Sequence, residues 1–322
     1  MRNFVIQPGS LLRNFFPLIR KLRFLAWKFN DRVGVRLVIS GGKARFLDAD
    51  LEFPEGVGLQ YTTPLFWNGP NAYEGSTSRT LAFLAGHARV FLDIGSNIGI
   101  YAVYVGVKFP QVKIYAFEPI PVICEKNRAF HRANKLSDSV TQNLALSDRD
   151  GTQDMILPVY ATGLEEEQTA TLNTGSWQIQ EKDVKIFQVK CLTLDTFAAA
   201  NALPVGPVVL KIDVENFEAP VLRGGKKFIS ERRPWILCEI LPNQEIDAAT
   251  GHRRNNNRET TGVITELGYE IFAVTDAGLF RMNPVDFTRA RSMKDFLLVP
   301  KERVPGDILY FALEDMGKVF SL

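Results

Sequence analysis

The 322-residue chain is poor in cysteine, in histidine and in long apolar runs. Its three cysteines, Cys124, Cys191 and Cys238, are odd in number, far apart and flanked by apolar residues. That excludes a disulfide framework and suits buried thiols in a reducing compartment. There is no CxxC pair and no Cys/His cluster, so no zinc site is expected and the expected metal complement is none. No stretch of about 18 uninterrupted apolar residues occurs, which argues against a spanning helix. The opening "MRNFVIQPGSLLRNFFPLIRKLRFLAWKFNDR" breaks its apolar residues every few positions with Arg or Lys and has no small-residue cleavage site. It does not read as a secretory signal, and a cytoplasmic location is expected. Charge of one sign is lacking too: 38 Lys and Arg stand against 36 Asp and Glu. A net charge of +2 gathers no polyanion, so no nucleic-acid partner is expected.

What is present is ordinary for a folded chain: 46% hydrophobic and 23% charged residues are enough apolar material for a core. From residue 10 to 30, Leu11, Leu12, Phe15, Ile19, Leu22 and Leu25 recur at helical spacing between basic residues. This amphipathic helix reads first as packed on its own domain. The alternative is peripheral contact with an anionic membrane, or contact with a second copy of the chain. Residues 33–75 alternate short apolar runs with Gly and Pro and suggest small strands forming a lid or antechamber. Ser76 or Ser78 is expected to cap a helix running to about residue 85.

Strands and helices then alternate: strand 89–94, helix 98–108, strand 112–117, helix 120–135, strand 139–146, an insertion at 150–190, helix 193–201, strand 207–212, helix 215–229 and strand 235–240. Helix 257–267 and strands 269–275, 279–282 and 295–299 follow. Such alternation predicts an α/β fold with a parallel sheet covered on both faces. The last two strands have no helix between them, so they are expected to close one edge as an antiparallel hairpin. The boundaries expected are an extension over 1–75, a catalytic domain over 76–300 and a tail over 301–322.

Ligands of open α/β sheets bind beyond the carboxyl ends of the strands, where "VFLDIGSNIG" lies. Gly95 and Gly99 allow a sharp turn and a close ligand approach, while Ser96 and Asn97 lead into free helix N–H groups. Asp93 precedes the glycines where a dinucleotide phosphate would be repelled, which counts against NAD and favours a ligand with an ammonium group. Glu118, at the next strand end, is placed to accept bonds from two ribose hydroxyls, and Pro119 sets the turn beyond it. Asn143 can offer a donor and an acceptor to an adenine edge, and Asp148 can share that work. The fourth strand, "VVLKIDVENFE", ends in Lys211, Asp213, Glu215 and Glu218, with Glu215 and Glu218 expected on one face of the following helix.

Together "AYEG", "VFLDIGSNIGIYA", "YAFEP", "NLALSDRDG", "LTLDTF", "LKIDVENFEAPVLRGG" and "PWILCEI" resemble the FkbM family of S-adenosylmethionine-dependent methyltransferases over roughly residues 73–240. The resemblance implies a class I methyltransferase, Rossmann-like sheet of order 3-2-1-4-5-7-6, here with an N-terminal extension and a β insertion. It implies S-adenosyl-L-methionine as cofactor and methyl transfer to a hydroxyl of a sugar, glycan or other small metabolite. Asp93, Gly95, Asn97 and Gly99 would surround the methionyl part, Glu118 would hold the ribose, and Asp213 would line the transfer site. The family usually carries Gly where this chain has Asn216, which puts substrate orientation in question. An alcohol needs its proton removed, so Asp213 or Glu215 is the expected general base, acting directly or, as an alternative, by binding a divalent cation, with His252 in "GHRRNNNR" as a spare candidate. Trp177 in the insertion is a candidate for stacking on an acceptor ring, or for ordinary packing. An N-methyltransferase and a non-catalytic cofactor-binding scaffold are the alternatives.

Overall fold

A computed structural model describes residues 2–6, 35–137, 140–158, 184–240, 252–282, 293–306 and 308–319. The proposed helix at 10–30 and Trp177 lie outside the described residues. Strands β1 (Arg2–Ile6) and β2 (Val35–Ile39) pair in parallel, and β3 (Gly42–Phe46) and β4 (Ala49–Phe53) form a small antiparallel pair. Helices α1 (Leu59–Asn68) and α2 (Gly75–Gly86) follow. Neither expected serine caps α2. Its N-cap is Glu74 in the left-handed region, and Ser78, already inside the helix, donates through Oγ to the Tyr73 carbonyl at 2.9 Å.

The main sheet begins with β5 (Val90–Ile94), whose every residue is buried, as a central strand demands. Helix α3 (Ile100–Lys108), strand β6 (Lys113–Phe117) and helix α4 (Pro121–Ala133) come next, the last opened by proline in its first turn. The expected strand 139–146 is two short pieces, β7 (Thr141–Gln142) and β8 (Ala145–Leu146). Only β7 joins the main sheet. The described ends of the insertion, β9 (Gly151–Pro158) and β10 (Val184–Leu192), pair antiparallel, and β8 adds to β10. Helix α5 (Leu194–Ala200) is capped by Thr193, whose Oγ1 accepts from the Thr196 N–H at 3.0 Å.

Strand β11 (Val208–Ile212) leads to α6 (Glu218–Gly224), α7 (Lys226–Arg232) and β12 (Trp235–Glu239). The single helix expected at 215–229 is thus two helices that start later. Glu215 and Asn216 have φ of 50° and 70°, and consecutive left-handed residues do not open a right-handed helix. Helix α8 (His252–Glu266) takes in the stretch "HRRNNNR" that reads as a loop in the sequence. Strands β13 (Tyr269–Thr275), β14 (Gly278–Met282), β15 (Asp295–Pro300) and β16 (Tyr310–Phe311) and helix α9 (Met316–Val319) complete the described chain.

The nine-stranded sheet has the order β7-β6-β5-β11-β12-β15-β13-β14-β16. Counting β5 as strand one, its first seven strands run 3-2-1-4-5-7-6, the expected class I order. The strands from β7 to β12 are parallel, and β15 runs antiparallel to both β12 and β13. The expected hairpin of 279–282 with 295–299 is not formed. β14 turns back on β13 through a tight connection, which leaves β15 to fill the gap beside β12. Side-chain alternation splits the core: Val90, Leu92 and Ile94 face one apolar cluster, Phe91 and Val209 the other. Asp93 and Lys211, paired in register, fall on the Phe91 side and set two charges into an apolar face.

Candidate active site

A cavity of about 460 Å³ opens at the carboxyl ends of β5, β6, β11 and β12. That volume is typical of a small-molecule site. Of the residues singled out in the sequence, Gly95, Asn97, Glu118, Pro119, Asp213 and Glu215 line it. Asp93, Ser96, Gly99, Asn143 and Asp148 are not in its wall.

The loop after β5 is held by the chain itself. A Cβ on Gly95 (φ 76°) would lie 1.9 Å from the Asp213 carbonyl oxygen, and one on Gly99 (φ 85°) 2.7 to 2.8 Å from the Asn127 amide. Both glycines therefore admit neighbouring protein groups, and Gly95 reaches the cavity as well. Asn127 ties the loop down by donating to Ser96 Oγ at 3.0 Å and to the Asn97 carbonyl at 2.8 Å.

Glu118 stands at the tip of β6, 5% exposed. Its Oε2 accepts from the Asn97 N–H at 3.0 Å and its Oε1 from the Ile120 N–H at 2.8 Å. Each oxygen keeps a second lone pair for a hydroxyl donor. Burial pushes its pKa up to about 7 against the pull of those two N–H groups. Asn143 is exposed and donates to the carbonyls of Glu118 and Pro119 at 3.0 and 2.9 Å, bracing the turn from outside. Asp148 makes an ion pair with Arg223 at 3.7 Å. Asp93 is 1% exposed, and its oxygens make no hydrogen bond among the described residues. Burial raises its pKa to about 6, partly offset by Lys211.

At the ends of β11 and β12 the lining is a network of charges. Asp213, just past β11, takes a 2.8 Å bond from Lys211 Nζ, and Lys211 also lies 5.0 Å over the Tyr101 ring. Glu239, at the tip of β12, accepts from Lys294 Nζ at 2.6 Å. Lys294 reaches Glu74 as well, at 3.3 Å, and Glu74 accepts from the Tyr101 hydroxyl at 2.5 Å. Glu215 is pushed up to about 8 by burial, then by the neighbouring Asp213 and Glu218 charges. Glu218, expected beside it, is turned inward to accept from the Asn216 N–H at 3.0 Å. Asp213, Glu215 and Glu239 can each turn an oxygen within 4.8 Å of the others. The ammonium groups of Lys211 and Lys294 already donate to two of these carboxyls, so the cluster reads as a hydrogen-bonded network of acids and lysines. Apolar residues, among them Phe117, Ile120, Ile123, Leu146 and Met155, line the remainder with Tyr61 and Tyr73.

Sequence reasoning did not assign Tyr61, Glu74, Glu239 or Lys294 to the site. Glu239 carried a usable signal, a lone acid ending the apolar run "WILC". Of the other base candidates, His252 lies in α8, with its side chain outside what is described. His131 is buried on α4 against the Asn127 carbonyl, and His87 is exposed at the end of α2.

Among curated proteins, the chain is 26% identical to 31-O-demethyl-FK506 methyltransferase FkbM of Streptomyces tacrolimicus over 208 residues, 58% of this chain and 75% of that protein. It is 40% identical to methyltransferase sdnD of Sordaria araneosa over 57 residues, 18% of this chain and 17% of that protein. A solved structure, methyltransferase FkbM of Methylobacillus flagellatus KT, is 14% identical with a TM-score of 0.38, over 77% of this chain and 56% of that one. This chain thus matches little more than half the length of that structure. The Methyltransferase FkbM domain itself matches residues 93–271, which run from Asp93 on β5 to Ile271 on β13, take in every strand tip around the cavity and make up more than half of the chain. The chain belongs to the FkbM family of methyltransferases.

Proposed function

We propose that the chain uses S-adenosyl-L-methionine to methylate a hydroxyl of a sugar, glycan or other small metabolite. The observation that carries this reading is the placement of Glu118 and the Asp213–Glu215 carboxylates in one cavity, after strands that flank β5 on either side. Glu118 keeps two lone pairs for the ribose hydroxyls, and Ile120, Ile123 and Leu146 offer an apolar bed for the adenine. Gly95 and Asn97 line the cavity in the loop after the intervening strand β5, where the methionyl part would run. When bound, the cofactor supplies a methyl group already activated by the sulfonium. The residues have left to align the acceptor oxygen and to take its proton, for which Asp213 is held ionised by Lys211 at 2.8 Å. The O-methylation named for the Streptomyces tacrolimicus relative supports oxygen as the acceptor atom.

Calorimetry with S-adenosylhomocysteine and with NADH tests the cofactor: binding of the first and not the second is expected, and the reverse defeats the reading. Glu118→Gln should weaken S-adenosylhomocysteine about tenfold or more, since one acceptor oxygen becomes a donor facing donors. Label passing from methyl-labelled cofactor into a hydroxylated compound of a metabolite extract then tests the transfer.

A further inference from the structure

Two buried carboxyl groups held close together cannot both ionise cheaply, so they tend to hold one proton between them. Asp213 and Glu239 stand at the ends of the neighbouring parallel strands β11 and β12, with carboxyl oxygens within 4.8 Å of each other. Each is held from its far side by an ammonium: Lys211 at 2.8 Å from Asp213 Oδ2, and Lys294 at 2.6 Å from Glu239 Oε1. Lys294 is in turn held by Glu74 at 3.3 Å, and Glu74 by the Tyr101 hydroxyl. Asp213, Glu239, Glu74 and Lys294 all face the cavity. We infer that Asp213 and Glu239 work as one proton-sharing base for the acceptor hydroxyl, with Glu239 and Lys294 as the positioning residues that aim Asp213. The inference rests on the O-methyltransferase reading above.

The proton sits on Glu239 at rest. Lys211 is buried and gives its hydrogen bond to Asp213, whereas Lys294, although 2.6 Å from Glu239, is more exposed and divides its charge between Glu239 and Glu74. Asp213 is accordingly held below the usual carboxylate range, burial being outweighed by Lys211, Glu239 and Lys294 together, while burial and the Asp213 charge drive Glu239 well above it. The other titratable groups facing the pair are Glu215 in the loop after β11, Glu218 on α6, Asp93 on β5 and Asp295 beside Lys294. Most of them add negative charge, which disfavours ionising both members of the pair at once.

In the transfer step the acceptor O–H bond breaks and its proton passes to the ionised Asp213 carboxylate. The electron pair left on oxygen forms the bond to the methyl carbon, and the pair of the broken carbon–sulfur bond stays on sulfur. The two carboxyls go from one shared proton to two, and the second leaves to water with the product. The Glu239 proton keeps a second negative charge away from Asp213 and fixes which Asp213 oxygen meets the hydroxyl.

Carbon-13 NMR of the full chain, labelled at the glutamate side-chain carboxyls, reads the shared proton without any acceptor. The signal lost in Glu239→Gln should remain at the protonated position at pH ~7, and in Asp213→Asn it should ionise at least about one pH unit lower. A Glu239 signal that ionises like a free glutamate and ignores Asp213→Asn overturns the pair. For the base role, Glu239→Gln should slow labelled methyl transfer roughly 10²-fold and remove the alkaline limb of its pH profile. Lys294→Arg should recover most of what Lys294→Met loses. A Glu239→Gln protein that binds S-adenosylhomocysteine and keeps the wild-type pH profile overturns that role. Wild-type chain that binds no S-adenosylhomocysteine would instead defeat the methyltransferase reading, leaving the NMR result to judge the pair alone.

Discussion

Asn216 carries the one visible departure from the family pattern, and its φ of 70° explains why glycine is usual there. Asparagine is among the few side-chain-bearing residues that enter the left-handed region readily, so the departure keeps the backbone path. Asn216→Gly should therefore change the denaturant midpoint by less than about 1 kcal/mol, whereas Asn216→Val should cost about 1–2 kcal/mol or more. A valine variant as stable as wild type would show that the turn is not strained. Gly95→Ala is a harsher test, because its Cβ meets backbone that cannot swing aside. We expect a loss above about 2 kcal/mol, with S-adenosylhomocysteine binding weakened by the displaced Asp213. Asp213 and Glu118 were legible in the sequence because each is an acid ending a buried run. Glu74 and Lys294 were not, since nothing local marks residues 220 positions apart as partners.

Among elements, those built on local pattern were legible and those set by distant pairing were not. β5, β6, β11, β12 and β13 announced themselves as short apolar runs, and they lie within a residue or two of the expected bounds. The insertion of β15 between β12 and β13 has no local signature, yet it carries Lys294, next to Asp295, to Glu239. The division of α6 from α7 did have a local mark, Gly224-Gly225 in "VENFEAPVLRGGKKF", but the helical spacing on either side of it suggests one continuous helix. At the far edge, β16 pairs with β14 and buries Phe311 against Phe272 at a ring distance of 5.6 Å. Phe311→Ala should cost about 3 kcal/mol in chemical denaturation. Four strand spacings, about 19 Å, separate β16 from β12, so S-adenosylhomocysteine affinity should stay within about twofold. A large loss of affinity with little loss of stability would reverse the assignment of β16 as a purely structural edge.

For the molecule as a whole, buried acids in and beside the cavity have pKa values raised on folding. Asp93 is raised from 3.8 to about 6, Glu118 and Glu218 from 4.5 to about 7, and Glu215 from 4.5 to about 8, burial being the first cause in each case. Between those limits the folded chain binds more protons than the unfolded one, so stability falls as pH rises. Asp213 and Glu302 have lowered values and act in the opposite sense, but their contribution is lost only in acid, at or below the ordinary carboxylate range. The ligand-free protein should therefore melt lower at pH ~8 than at pH ~5.5, by at least about 2 kcal/mol, or roughly 4 °C or more. A melting temperature that rises across this window would show that these acids ionise without strain. The same charge build-up favours a cationic ligand, because ionised Glu215 and Glu118 then gain a partner. S-adenosylmethionine carries one more positive charge than S-adenosylhomocysteine, so its stabilisation of the fold should grow from pH ~6 to pH ~8 while that of the thioether stays nearly level. Glu215→Gln should flatten the difference. If both ligands respond alike to pH, the acids do not sense the sulfonium, and loss of its charge does not help the spent cofactor to leave.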